Sequence, residues 1–145
     1  MAIQEILFHH NNMRAYITAP FKREENQTKI KEICDIVKQS GLEDFCFVRD
    51  MQKFESAFSD AQILMRMAKE EVMKCDILFI EASEKTTTGC TIETGMAYAM
   101  GKKIVTIAKF WSNISHTLRW ISNIILEYNE LSDIIYPLKK YLSIK

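Results

Sequence analysis

DILFIEASEKTTTGCTIETGMAYAMGKKIVTIAKF runs from Asp76 to Phe110 and holds two apolar runs joined by a glycine-punctuated segment. Asp76–Ala82 and Lys102–Phe110 are nearly continuous in apolar residues, the pattern of strands buried on both faces of a parallel sheet. Between them, a loop rich in Thr and Gly gives way to small residues at helical spacing. One residue breaks the apolar pattern. Glu93 precedes Met96, Ala97 and Met100 by three, four and seven positions, so its carboxylate heads an apolar stripe.

Working outward, the same alternation of strand and helix continues in both directions. Met13–Phe21 reads as a strand that runs into a loop at Pro20, and Glu24–Gly41 as an amphipathic helix with Ile30, Ile33, Cys34 and Val37 inward. Gly41 supplies a C-terminal stop. Phe45–Val48 is a second short strand, and Asp60–Cys75 a second helix with Asp60 as N-cap. Beyond Phe110, Ser115–Ile125 and Ser132–Leu142 are read as helices, the latter containing Pro137, with a fifth strand near Ile125–Glu130. The first twelve residues fit neither period and read as a loose arm. Alternating elements of this kind form an α/β domain with right-handed crossovers. The expected architecture is a flavodoxin-like or Rossmann-like doubly wound parallel sheet of about five strands in the order 2-1-3-4-5, as one domain over residues 1–145. Ligands bind such sheets at the carboxyl ends of the strands, beside the switch point. Here those ends carry TAPFKREE after the first strand and EASEKTTTG after the third, and Glu93 begins the helix after the second of these loops.

Bulk composition narrows the function classes. Nineteen basic and 19 acidic residues cancel, which gives no pull towards nucleic acid or an anionic membrane, and weak self-repulsion makes association of copies plausible. No apolar run approaches the roughly 20 residues needed to cross a bilayer. Cys34, Cys46, Cys75 and Cys90 form no C-x-x-C pair, and no signal peptide precedes them, so free thiols in a cytoplasmic setting are expected. The four glycines complete neither G-x-G-x-x-G nor a P-loop, and an acidic pair of the phosphoacceptor type is absent after the first strand, where Thr18-Ala19-Pro20 stand. His9-His10 and His116 lie too far apart in sequence to suggest a zinc site.

Two segments carry a specific resemblance. YITAPF, Tyr16–Phe21, is similar to the Y-x-A-G-P-F opening of the nucleoside 2-deoxyribosyltransferase family, which includes nucleotide N-glycoside hydrolases. Gly89, Glu93, Gly95, Ala97, Ala99, Gly101 and Lys102 resemble that family's G-T-x-x-E-x-G-x-A-x-A-x-G-K-P segment at matching spacing, and CDILFI resembles its A-D strand. The resemblance covers about residues 13–108. It implies that Glu93 is the nucleophile on the anomeric carbon of a nucleoside or nucleotide, with Tyr16 orienting it. It also implies that Ala19, Pro20, Phe21, Gly89 and Gly95 border the substrate. It implies no metal and no organic cofactor, and a homodimer or larger in which residues near Trp111–Asn123 close a neighbour's pocket. A glutamate that forms a glycosyl intermediate follows the logic of retaining glycosidases.

The departures from that pattern are also informative. The family's aspartate before the A-D strand falls at Ala68, its acidic loop residue at Thr87 and Thr88, and its Gly before Pro at Ala19. Glu81 and Glu84 are the nearby carboxylates that could replace a lost acid, and Lys22, Arg23 and Arg119 the cations that could meet a 5′-phosphate. Two other functions compete with an enzyme: a non-catalytic nucleotide-binding module that kept the pocket, and a plain assembly domain. Bland readings compete residue by residue as well. Glu93 could serve only the positive end of its helix, Tyr16 could be a core aromatic, Asp76 a strand-entrance cap, and Met65, Met67 and Met73 packing or a dimer face. Cys90 has no base partner in the sequence pattern that would make it a nucleophile.

Overall fold

Five strands form one parallel sheet in the order β2-β1-β3-β4-β5. They are β1 (Arg14–Thr18), β2 (Glu43–Cys46), β3 (Ile77–Glu81), β4 (Lys103–Lys109) and β5 (Ile124–Tyr128). The helices are α1 (Gln27–Gln39), α2 (Ala61–Lys74), α3 (Thr88–Ala99), α4 (His116–Ile121) and α5 (Ile135–Ser143). The computed structural model describes residues 13–55 and 60–144, so the first twelve residues, read from sequence as a loose arm, and His9-His10 among them, lie outside the described residues. Strand order, parallel pairing and the doubly wound architecture agree with the sequence reading.

Strand parity divides the core into two layers. Ala15, Ile17, Ile77, Phe79, Val105 and Ile107 pack on the side of α1 and α5. Tyr16, Leu78, Ile80 and Ile104 pack on the other side, with Val72 of α2 and Cys90 and Ala97 of α3. Asp76 is structural: its carboxylate accepts the Arg14 amide at 2.8 Å, which pins the start of β1 beside β3.

The element boundaries that differ from expectation have local causes. The first helix starts at Gln27 rather than Glu24 because Asn26 is committed to the preceding loop. Its side chain accepts the Lys22 amide at 2.8 Å and donates to the Pro20 carbonyl at 2.5 Å. The second strand ends at Cys46, where Asp50 accepts the Cys46 amide at 2.9 Å, and Phe47–Met51 then coil into a wide helical turn. Asp60 caps α2 as expected, accepting the Ile63 amide at 3.1 Å. The helix expected to reach Ile125 stops at Ile121. Asn123 is recruited to the edge of β4, where its side chain accepts the Ile104 amide at 2.8 Å, and Ile124–Ile125 enter β5. Pro137 is accommodated because it occupies the first turn of α5, where an amide hydrogen would have no intrahelical partner.

Gly101 ends α3 with φ of +73°. A Cβ there would meet nothing within 4 Å, so the requirement lies in the backbone conformation alone. Gly101→Ala is therefore expected to lower unfolding free energy by about 1 kcal/mol. Thermal unfolding checks this, and an unchanged midpoint would show that the left-handed turn is not needed.

Candidate active site

The placement of Glu93 follows from the way α3 is capped and packed. The Thr87 hydroxyl accepts the Cys90 amide at 3.3 Å and lies 3.2 Å from Cys90 Sγ, to which it donates. Thr94 donates back to the Cys90 carbonyl at 2.7 Å. The buried residues of α3 are Cys90, Glu93, Thr94 and Ala97, one helical stripe turned towards the sheet. Glu93 thus lies among core positions, and it is only 3% exposed. It occupies the second turn, past the free amides of the first, so attraction to the helix terminus does not account for its inward position.

The carboxylate borders a cleft of about 330 Å³ at the carboxyl end of the sheet. Thr18, Ala19 and Phe21 form the wall from β1 and its loop, and Thr87, Gly89 and Cys90 the wall from the start of α3. Phe47, Val48 and Gln52 come from the wide turn after β2, and Ala61, Leu64 and Met65 from α2. Among the described lining residues Glu93 is the one carboxylate, and none is a lysine or arginine. Burial pushes its pKa up to about 7, against the opposing approach of the Thr18 hydroxyl and then the Tyr16 hydroxyl. Glu93 Oε2 and the Tyr16 hydroxyl are nonetheless buried without a hydrogen-bond partner among the described residues. The two hydroxyls therefore influence the carboxylate without tying it down.

Tyr16 is fully buried beneath the carboxylate, packed at 5.3 Å against the Phe45 ring. Its phenol is pushed far up by burial and then by the negative charge of Glu93, so it stays protonated and can only donate to a carboxylate. The Cys90 thiol is also pushed up by burial, which keeps it a thiol rather than a nucleophile.

The residues singled out in the sequence are only partly brought together. Ala19, Phe21, Gly89 and Glu93 share the cleft, and Tyr16 lies behind it. Pro20 faces a second cavity, lined also by Lys22, Lys29, Lys109, Glu81 and Glu84. Gly95 faces a third, between α3 and α4. Neither replacement acid lines the Glu93 cleft. Glu81 accepts from the Tyr128 hydroxyl at 2.9 Å and the Ser83 amide at 2.6 Å, and it pairs with Lys29 at 3.5 Å. Glu84 pairs with Lys22. Lys22, Arg23 and Arg119 do not line the cleft either.

Ala68 is fully buried on the same face of α2 as Ala61, Leu64 and Met65, so a methyl group stands where the resemblance would place an aspartate. Met65, Met67 and Met73 are all exposed, and of them Met65 belongs to the cleft wall. The sequence reading missed Thr18, Phe47, Val48, Gln52 and Leu64. Thr18 was detectable, since it lies two residues after Tyr16 and so on the same face of the strand.

A doubly wound parallel sheet with a buried carboxylate in a cleft at its switch point has the form of a small-ligand enzyme or binding domain. The chain belongs to the nucleoside 2-deoxyribosyltransferase family, whose model matches residues 15–133. The match extends past the glutamate segment into α4 and β5. Among solved structures, the chain is similar to the CMP N-glycosidase BcmB of Clostridium botulinum, with 22% identity and a TM-score of 0.67 over 88% of this chain and 98% of that one. It is also similar to a 2-deoxyribosyltransferase of Bacillus psychrosaccharolyticus, at 19% identity and a TM-score of 0.70 over 84% and 90%. At these identities the structural likeness speaks to the fold. No curated protein matches the sequence significantly.

Burying a carboxylate with a free oxygen should be measurable as a stability cost. The folded-state pKa lies above the ordinary 4.5, at about 7, so in that window the native state keeps a proton that the unfolded chain has lost. Stability should fall as pH rises through the window and level off above it, a loss on the order of 3 kcal/mol. Glu93→Gln should lack this fall, so its thermal midpoint should exceed the wild type's by a margin that grows from about pH 5 to about pH 8. Parallel curves for the two proteins would contradict the buried, uncompensated carboxylate.

Proposed function

We propose that the protein cleaves or transfers at the N-glycosidic bond of a nucleoside or nucleoside 5′-monophosphate, with Glu93 as the nucleophile. The observation that carries this reading is the buried Glu93 carboxylate, with one oxygen unpartnered, at the edge of a mostly apolar cleft. Family membership supplies the reaction class. A Glu93 oxygen attacks C1′ of the sugar, and the C1′–N bond breaks. The base leaves with the electron pair and takes a proton from water. A water molecule or a second base then attacks C1′ and releases the carboxylate. Tyr16 serves as an orienting donor. Ala19, Phe21 and Gly89 border the sugar and base, and Phe21 and Phe47 offer apolar surface to a planar ring. Pro20 and Gly95 act through the backbone of the loop and helix that hold these groups.

A second reading has an observation of its own. The described cleft residues include no second carboxylate to protonate a leaving base, and Ala68 and Thr87 stand where the family pattern has acids. A non-catalytic nucleotide-binding module would need the pocket and not the acids. Base release from a panel of nucleosides and monophosphates separates the two readings. The enzyme reading expects release by the wild type and a loss of roughly a thousandfold or more in Glu93→Gln, in the chemical step. Ligand-induced thermal shifts without turnover would instead favour the module.

Because the nucleophile must be ionised, kcat/KM should rise with pH through about 7 and then level. A profile flat from about pH 5 upward would contradict a titrating Glu93 as the reacting group.

Self-association belongs to the same proposal. Trp111 and Trp120 are 98% and 81% exposed, and Arg119 is exposed beside them, a combination typical of interface anchors. Asn123 is already engaged with β4. A homodimer or larger is expected by light scattering at micromolar concentration, and a clean monomer mass would count against it. The four free cysteines fit a reducing, cytoplasmic setting. No helix among the described residues is long and apolar enough to cross a membrane.

A further inference from the structure

The cleft contains a hydroxyl that the family pattern does not supply. In the Y-x-A-G-P-F opening, the position two after the tyrosine is alanine, whereas this chain has Thr18 there. Thr18 is the last residue of β1 and is 3% exposed. Strand parity turns it to the same face as Tyr16, towards α3. It lines the cleft beside Glu93 and Cys90. We propose that Thr18 is a positioning residue for Glu93: its hydroxyl, with that of Tyr16, forms a two-donor platform that orients the carboxylate and favours its ionised form. This rests on Glu93 being the reacting group, but its physical content can be tested without any reaction.

The surroundings leave few other ways to hold the charge. Tyr16 and Thr18 face the carboxylate from β1, and Cys90 from its own helix. The α2 residues facing the cleft are Ala61, Leu64 and Met65, all apolar. Cys46 of β2 acts on Tyr16 rather than on Glu93. The Thr18 hydroxyl also approaches Cys90 Sγ, which receives the Thr87 hydroxyl at 3.2 Å as well. Burial keeps Cys90 a neutral thiol, so the charged acceptor within reach of Thr18 is Glu93. Thr18 opposes the upward push of burial on Glu93 more than Tyr16 does. The unpartnered Glu93 Oε2 and Tyr16 hydroxyl show that the platform is not fully closed in the free protein. Hydrogen bonds of this kind tighten when substrate fills a site. A platform of hydroxyls can hold a carboxylate in position, but it cannot replace the missing acid.

The test is the titration of Glu93 itself. The full-length protein is labelled with glutamate carrying 13C at the carboxyl, and the Glu93 resonance is identified by its loss in Glu93→Gln. Its midpoint is then followed in wild type, Thr18→Val, Thr18→Ser and Tyr16→Phe. Thr18→Val keeps the shape and removes the donor, so the midpoint should move alkaline by about one pH unit. Thr18→Ser keeps the hydroxyl and should stay near wild type. If Thr18→Val does not fold, Thr18→Ala against Thr18→Ser makes the same comparison. In base-release assays, where turnover is present, Thr18→Val should lose about tenfold in kcat/KM at about pH 6 and much less at about pH 9. A purely structural role would lower both alike. An unchanged midpoint in Thr18→Val, or one that Thr18→Ser shifts equally, overturns the platform while leaving the nucleophile reading intact. A shifted midpoint in a protein without turnover supports the platform and removes only the catalytic reading.

Discussion

The structure depends most on one constraint: a carboxylate held in the core layer between a sheet and a helix, with too few partners to satisfy it. Charged groups rarely persist in such places unless they are paired or serve a reaction, because desolvation penalises the charged form. Everything around Glu93 is arranged about that tension. Thr87 caps the helix so that the 90, 93, 94, 97 stripe faces the sheet. The first strand ends in residues whose side chains form one wall of the cleft, and α2 contributes an apolar wall opposite. The cleft lies where β1 and β3 adjoin, the point at which the winding of the chain reverses.

The departures from the family pattern gain a physical meaning on this scaffold. Ala68 is not an exposed accident of the sequence: it is packed at 0% exposure on the same helical face as Ala61, Leu64 and Met65, so a carboxylate there would have been a second buried charge. A methyl group at this position leaves no second charge to desolvate. Thr87 both caps α3 and borders the cleft, so one side chain holds the helix and lines the site. A buried carboxylate thus stands at position 93, while hydroxyls and small apolar groups occupy the positions where the resemblance would place acids.

Much of this was legible in the sequence because hydrophobic period and strand parity are strong local signals. The two apolar runs around Glu93 pointed to a parallel sheet, and the glutamate at the head of an apolar stripe pointed to an inward carboxylate, with the helix terminus as the competing reading. Parity could also have removed Glu81 as a replacement acid. It follows Ile77 and Phe79 at steps of two, so it faces α1, where Lys29 and Tyr128 hold it. What the sequence could not supply came from long-range geometry. The turn carrying Phe47, Val48 and Gln52 exists because Asp50 captures the Cys46 amide and the Arg49 guanidinium bridges Asp50 and Asp44. No periodic pattern announces such a clamp. The early end of α4 likewise reflects Asn123 joining β4, a contact 19 residues apart in the chain.

Glu93 as a nucleophile, rather than a leftover buried charge, is what the proposed reaction stands on. The most direct measurement is mass spectrometry of the protein after incubation with a slow fluorinated nucleoside, followed by digestion and mapping of the peptide that contains Glu93. A nucleophilic Glu93 leaves one sugar added to the intact protein, located on the Glu93 side chain and absent in Glu93→Gln. Base release with no adduct, or an adduct on another residue such as Cys90, would contradict it.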